Sequence, residues 1–177
     1  MAKIGQNSRI APSILVASVL FITVLGCSDN NSLCKKEWPP KSIPERSDGK
    51  VTIEQGIWGD VWFWEGDFMP ICGSGTITPV SREIRIHELT NLDDVIRAPE
   101  DPTFYAEINT ALVVTTWSDR DGFFEVVLPP GKYSVFVVED TLFYANRFDG
   151  VGNIFPVEVY DGQATGIQFD ITYKAYF

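Results

Sequence analysis

The chain has 177 residues, 14 Lys and Arg against 24 Asp and Glu, a formal net charge of -10, and 45% hydrophobic and 13% aromatic residues. The aromatic content excludes a disordered chain, which lacks the residues to build a core, and the acidity excludes a phosphate-backbone binder, which needs clustered Lys and Arg. One His and three Cys leave little material for His-based catalysis or a transition-metal site, so no cofactor, no nucleic-acid partner and no enzymatic activity are expected.

The chain opens with Met1 to Arg9, which carries Lys3 and Arg9 and no acid, followed by an apolar run from Ile10 to Leu25. That run has the length of a signal-peptide core and is short of the ~20 apolar residues of a membrane span. It ends in Val24-Leu25-Gly26-Cys27, which resembles the lipobox of bacterial lipoproteins. The resemblance implies cleavage after Gly26, so that residues 1–26 are a signal peptide, and lipid on Cys27. Acylation of the new N-terminus would add a further chain, and stable anchoring needs at least two. Ser28 stands where such proteins carry Asp for inner-membrane retention, which favours the outer membrane, with the leaflet face open. Processing would remove two positive charges and no acid, taking -10 to -12, a charge that suits a body held off anionic lipid.

Residues 27–50 read as a lipidated tether. Pro39-Pro40, Pro44 and Ser47-Asp48-Gly49 interrupt a polar stretch with no apolar period, and a flexible chain of this length reaches roughly 25 Å. From Val51 to Phe177 the period changes to two. Ile57, Gly59, Val61 and Phe63 share one parity. Ile84 and Ile86 alternate with Arg85 and His87. Phe124 to Leu128 follow Asp121-Gly122, Tyr133 to Val137 follow Pro129-Pro130-Gly131, Val157 and Val159 lead to Asp161-Gly162, and Ile167 to Tyr173 alternate with polar residues. Short alternating runs punctuated by Gly, Pro and Asp predict antiparallel strands. About seven of them indicate an all-β sandwich. Leu89 to Val95 suits one helical turn in a long loop.

The stretch from Thr115 to Val137, with its Asp121-Gly122 turn, aromatic strand and Pro130-Gly131-Lys132-Tyr133 turn, resembles the carboxypeptidase regulatory-like domain. Ile57-Gly59-Val61 and Pro79-Val80 before Ile84 are similar to that family's first two strands. The resemblance implies a seven- or eight-stranded, transthyretin-like antiparallel β-sandwich over residues 51–177, with excursions near 66–78 and 90–110. In metallocarboxypeptidases this module is the non-catalytic partner, and in bacterial surface proteins it is a binding or spacer unit. The implication is therefore fold more than chemistry. The transthyretin-like hydroxyisourate hydrolases need several His residues, and this chain has one.

Five features compete for a role. His87 is opposite in parity to Ile84 and Ile86, which puts it in solvent. Asp119 and Asp121, like Asp149 and Asn153, lie in acidic Gly-containing loops. They are weak Ca²⁺ candidates, because Ca²⁺ needs six to eight oxygens and plain Asx turns explain such loops. Cys34 and Cys72 are the thiols left once Cys27 carries lipid. Outside the cytoplasm they tend to pair, closing a loop of 38 residues worth ~4 kcal/mol in the chain-entropy model. Lys50 is the one lysine near the first strand that could form an isopeptide. Finally, Trp58, Asp60, Trp62 and Trp64 share the parity opposite to the core, so three indoles and a carboxylate occupy one sheet face. Open, that face would stack on sugar rings or anchor a protein partner; covered by an excursion or by the tether, it would belong to the core. The expected function is a lipid-anchored, non-catalytic binding or structural module of the cell envelope, contacting a protein or a glycan. A carbohydrate-binding module using the Trp face is the alternative, and a carboxylate-based hydrolase a lesser one.

Overall fold

A computed structural model describes residues 44–69 and 73–177. They form an all-β sandwich of eleven strands: β1 (Gly56–Asp67), β2 (Thr76–Pro79), β3 (Glu83–Glu88), β4 (Val95–Arg97), β5 (Phe104–Ile108), β6 (Leu112–Trp117), β7 (Phe123–Val126), β8 (Gly131–Glu139), β9 (Leu142–Tyr144), β10 (Pro156–Val159) and β11 (Ala164–Tyr176). The helical turn expected near 89–95 is a single 3₁₀ turn, Leu92–Asp94, closed by a capping box from Asn91.

The smaller sheet is built on β1. β11 runs along one edge of it, and β7 and then β2 share the other. The expectation of uniformly antiparallel pairing fails at one place: β1 and β11 are parallel, with Ile57 opposite Thr165 and Phe63 opposite Ile171. Gly122 sits where β7 gives way to β2. Its O accepts from Val61 N at 2.9 Å, its φ is +81°, and a Cβ there would meet Val61 O at 2.6 Å. Only glycine fits both constraints.

The larger sheet has the order β4-β5-β9-β8-β3-β6, with β10 sharing an edge of β8. The core lies between the sheets. Ile57 and Val61 from β1, Phe124 from β7, and Ile167, Phe169 and Ile171 from β11 meet Ile84 and Ile86 from β3, Val135 and Val137 from β8, and Val157 and Val159 from β10. Full burial of each such side chain contributes about 1.5–3 kcal/mol. A polar link joins the layers at one end. Glu139 accepts from Tyr173 Oη at 2.8 Å and from Arg82 Nε; burial first, and then the bond to Glu139, hold the Tyr173 hydroxyl well above its ordinary range.

The strand β8 is buried on both faces, because Phe136 and Ser134 are covered as well as Val135 and Val137. The 89–111 excursion lies over that second face. Tyr105 meets the Phe136 ring at 5.8 Å, and Thr90 N donates to Ser134 Oγ at 2.9 Å. His87 belongs to this layer too, 5.7 Å from Phe136 and edge-on to it. The expectation that it faces solvent is corrected: His87 keeps the parity assigned to it, on the face of Phe136, but that outer face is covered and His87 is buried. Among the described residues no helix is long and apolar enough to cross a membrane.

Candidate functional site

Because β1 and β11 run parallel and in register, Trp58 lies beside Gly166, Asp60 beside Gln168 and Trp62 beside Asp170. The aromatic face of β1 and the polar face of β11 are therefore one surface. Most of it is closed. Trp62 is 2% exposed, clustered with Phe68 and Ile77, and its Nε1 has no partner among the described residues. Gly75 lets the chain fold back, since a Cβ there would strike the Phe68 ring at 2.4 Å. Asp60 is fully buried. Arg46 Nε lies 3.0 Å from its Oδ2, and Ser47 N donates to its Oδ1 at 3.2 Å. Arg46 also donates to Ile167 O at 3.1 Å and sits 5.0 Å over the Trp58 ring. The end of the predicted tether is thus a strap laid across the sheet. Lys50 on Asp121 at 2.7 Å and Thr52 on Glu125 at 2.8 Å continue it.

Trp58, under Arg46, and Trp64 are both half-buried, and Trp64 lines a hollow. A hollow of 310 Å³ is lined by Trp64, Asn146, Arg147, Asp170, Thr172 and Phe177. Trp64 Nε1 donates to Asp170 Oδ1 at 2.8 Å, and Gln168 Nε2 lies 2.9 Å from both carboxylate oxygens. Asn146 Nδ2 donates to Asp170 O at 3.1 Å and Thr172 Oγ1 at 2.9 Å, Arg147 Nη2 donates to Gln168 O at 3.4 Å, and Thr172 N donates to Tyr144 Oη at 3.0 Å. Side chains of the 144–147 segment therefore occupy the free edge of β11. Sequence reasoning named Trp64 but missed Asn146, Arg147 and Asp170. Asp170 carried a faint signal as a polar position of the β11 alternation, whereas 144–147 has no pattern that predicts its neighbour.

The other long edge is not occupied in this way. Among the described residues β6 pairs only with β3. Ser118 N bonds Arg82 O, which sets the phase of the ladder, so the N–H and C=O of Thr115 and Trp117 point away from β3. Leu112, Val113 and Trp117 are exposed, Trp117 by 62%. The strand Leu-Val-Val-Thr-Thr-Trp holds no charge and no proline, the devices by which edges are normally protected.

The remaining candidates take structural roles. Asp119 Oδ1 accepts from Asp121 N at 2.8 Å and Phe123 N at 2.9 Å, an Asx turn, while Lys50 Nζ stands against Asp121 and Asp119. The hydrogen bond from Lys50 holds the Asp121 carboxyl below its ordinary range. Asp149 likewise accepts from Val151 N, Asn153 N and Asn153 Nδ2. Among the described residues no three His, Cys, Asp or Glu side chains gather to hold a metal ion. His87 Nδ1 faces Thr110 O at 3.1 Å, so it carries the proton, and its buried Nε2 has no partner. Burial is the main cause that lowers its pKa. A neutral ring sealed in this way reaches no substrate. Cys27, Cys34 and Cys72 lie outside the described residues. No protein-family model matches the chain, and neither a curated protein nor a solved structure matches it.

Proposed function

We propose that this chain is a lipid-anchored bacterial envelope protein whose β-sandwich, of the carboxypeptidase regulatory-like, transthyretin-like kind, is a non-catalytic binding or structural module, and that it receives an extended segment of a partner protein along β6. The anchoring part of the reading is supported by Val24-Leu25-Gly26-Cys27 after an apolar run, and Ser28 directs it to the outer membrane. The observation that carries the binding part is the uncharged edge of β6. Its outward N–H and C=O groups supply main-chain hydrogen bonds to an added strand, and Val113 and Trp117 supply side-chain specificity. Aromatic and β-branched cross-strand pairs add about 0.2–1 kcal/mol each.

Two measurements test it. Metabolic labelling with an alkynyl palmitate marks the wild-type chain in the membrane fraction and leaves Cys27→Ser unlabelled. A photocrosslinking residue placed at 117 in the intact envelope gives a discrete adduct that disappears with Thr115→Pro, while the same residue at Glu158, exposed on β10, gives none. A labelled chain that crosslinks equally at 117 and 158 would refute the β6 reading and leave the anchor standing.

A further inference from the structure

The hollow at Trp64 carries a second inference, independent of the β6 edge. We propose that it is a subsite for one or two rings of a neutral saccharide. The hydrogen-bond inventory around it is unevenly spent. Both protons of Asn146 Nδ2 go to Asp170 O and Thr172 Oγ1. The amide is therefore fixed, beside Tyr144 with which it also shares a hydrogen bond, and its Oδ1 keeps acceptor capacity for a ligand. Three of the roughly four lone-pair sites of the Asp170 carboxylate are filled by Trp64 and Gln168, which leaves one on Oδ2. Arg147 uses one of its five donors, at 3.4 Å, and its guanidinium is held 4.6 Å over Phe155. Thr172 Oγ1 lies 3.1 Å from Tyr144 Oη, which itself accepts from Thr172 N. Either hydroxyl can donate in that pair, so Thr172 adds no free proton to the inventory.

Acceptor capacity on Asn146 and Asp170 and the spare donors of Arg147 thus line a wall formed by Trp64 and Phe177, whose rings are 6.2 Å apart and tilted by 44°. A vicinal diol both donates and accepts, and the C–H face of a pyranose ring packs on an indole, so this combination selects a polyhydroxylated ring over a purely apolar or purely ionic ligand. The volume, 310 Å³, is at the small end of ligand sites and limits occupancy to a short segment. The chain's net charge of -10 and the carboxylate in the hollow disfavour acidic sugars.

The experiment titrates the full chain with neutral trisaccharides of glucose, galactose and N-acetylglucosamine, and with a glucuronate-containing trisaccharide, by saturation-transfer NMR and tryptophan fluorescence. At least one neutral probe is expected to bind. Asn146→Ala and Arg147→Ala weaken it by about tenfold or more, the effect of one lost polar contact, Trp64→Ala abolishes it, and Tyr160→Ala, at an exposed aromatic that does not line the hollow, leaves it within twofold. Trp64 packs on Phe68 at 4.9 Å, so its variant is judged beside Arg147→Ala, an exposed side chain whose truncation leaves the core intact. Absence of binding by every neutral probe, a preference for the glucuronate probe, or binding indifferent to both Asn146→Ala and Arg147→Ala overturns the assignment.

Discussion

Replacing Arg46 by alanine would leave a buried carboxylate stranded. Asp60 is 0% exposed, and its oxygens face Arg46 Nε at 3.0 Å and Ser47 N at 3.2 and 3.3 Å. Removing one member of a fully buried ion pair costs about 3–5 kcal/mol. Arg46 is 38% exposed, so water reaches part of the vacated space and the loss falls to about 2 kcal/mol. The hydrogen bond to Ile167 O adds about 1 kcal/mol, and the contact over Trp58 about 0.5 kcal/mol. We expect Arg46→Ala to destabilise the domain by about 3.5 kcal/mol in urea unfolding at unchanged m, equivalent to a fall in Tm of about 10–15 °C, with a red-shifted native emission as Trp58 becomes wetter. Adding Asp60→Asn should recover about 1–2 kcal/mol, because the stranded charge is gone. A loss below about 1 kcal/mol, or a double variant no more stable than the single one, would refute the view that Arg46 serves to neutralise Asp60.

Three further outcomes are expected. Trp62→Ala should cost about 3–5 kcal/mol through the cavity it leaves, lowering the thermal midpoint; an unchanged midpoint would return Trp62 to the surface. Burial depresses the pKa of His87 below its ordinary value of 6.5, so the unfolded chain binds this proton more readily, and stability that is complete above that value declines as pH falls below it. Equilibrium unfolding at pH 7.5 and 5.5 should show a smaller acid loss in His87→Gln than in the parent chain. The Tyr105 hydroxyl is buried without a partner, and burial pushes its pKa to about 12. Tyr105→Phe removes an unsatisfied group and should be neutral or stabilising by up to about 1 kcal/mol, and alkaline absorbance titration of the parent should show one tyrosine ionising near 12 that the variant lacks.

The long strands were legible because their alternation is long. Gly56–Asp67, Gly131–Glu139 and Ala164–Tyr176 each carry a run whose apolar parity lands in the core, and Pro129-Pro130-Gly131 was legible because Tyr133 Oη closes that turn on Pro129 O at 2.9 Å. β2, β4 and β9 were not, since three or four residues give no measurable period; β7 and β10 are as short, but the Asp121-Gly122 and Asp161-Gly162 turns beside them marked their ends. Parity also misassigned His87, because alternation identifies opposite faces without saying whether the second face is wet.

By itself, then, the sequence determined that the body is a β-sandwich, which residues of the long strands form its core, and where its turns need glycine. Those properties follow from local backbone sterics and a two-residue period. Tertiary structure decided the parallel pairing of β1 with β11, the closure of the Trp face by Arg46 and by the 66–78 excursion, the meeting of Trp64 with Asp170 and Asn146, and the exposure of β6. Each of these is a contact between segments far apart in the chain, and no local period encodes which distant segment a face will meet.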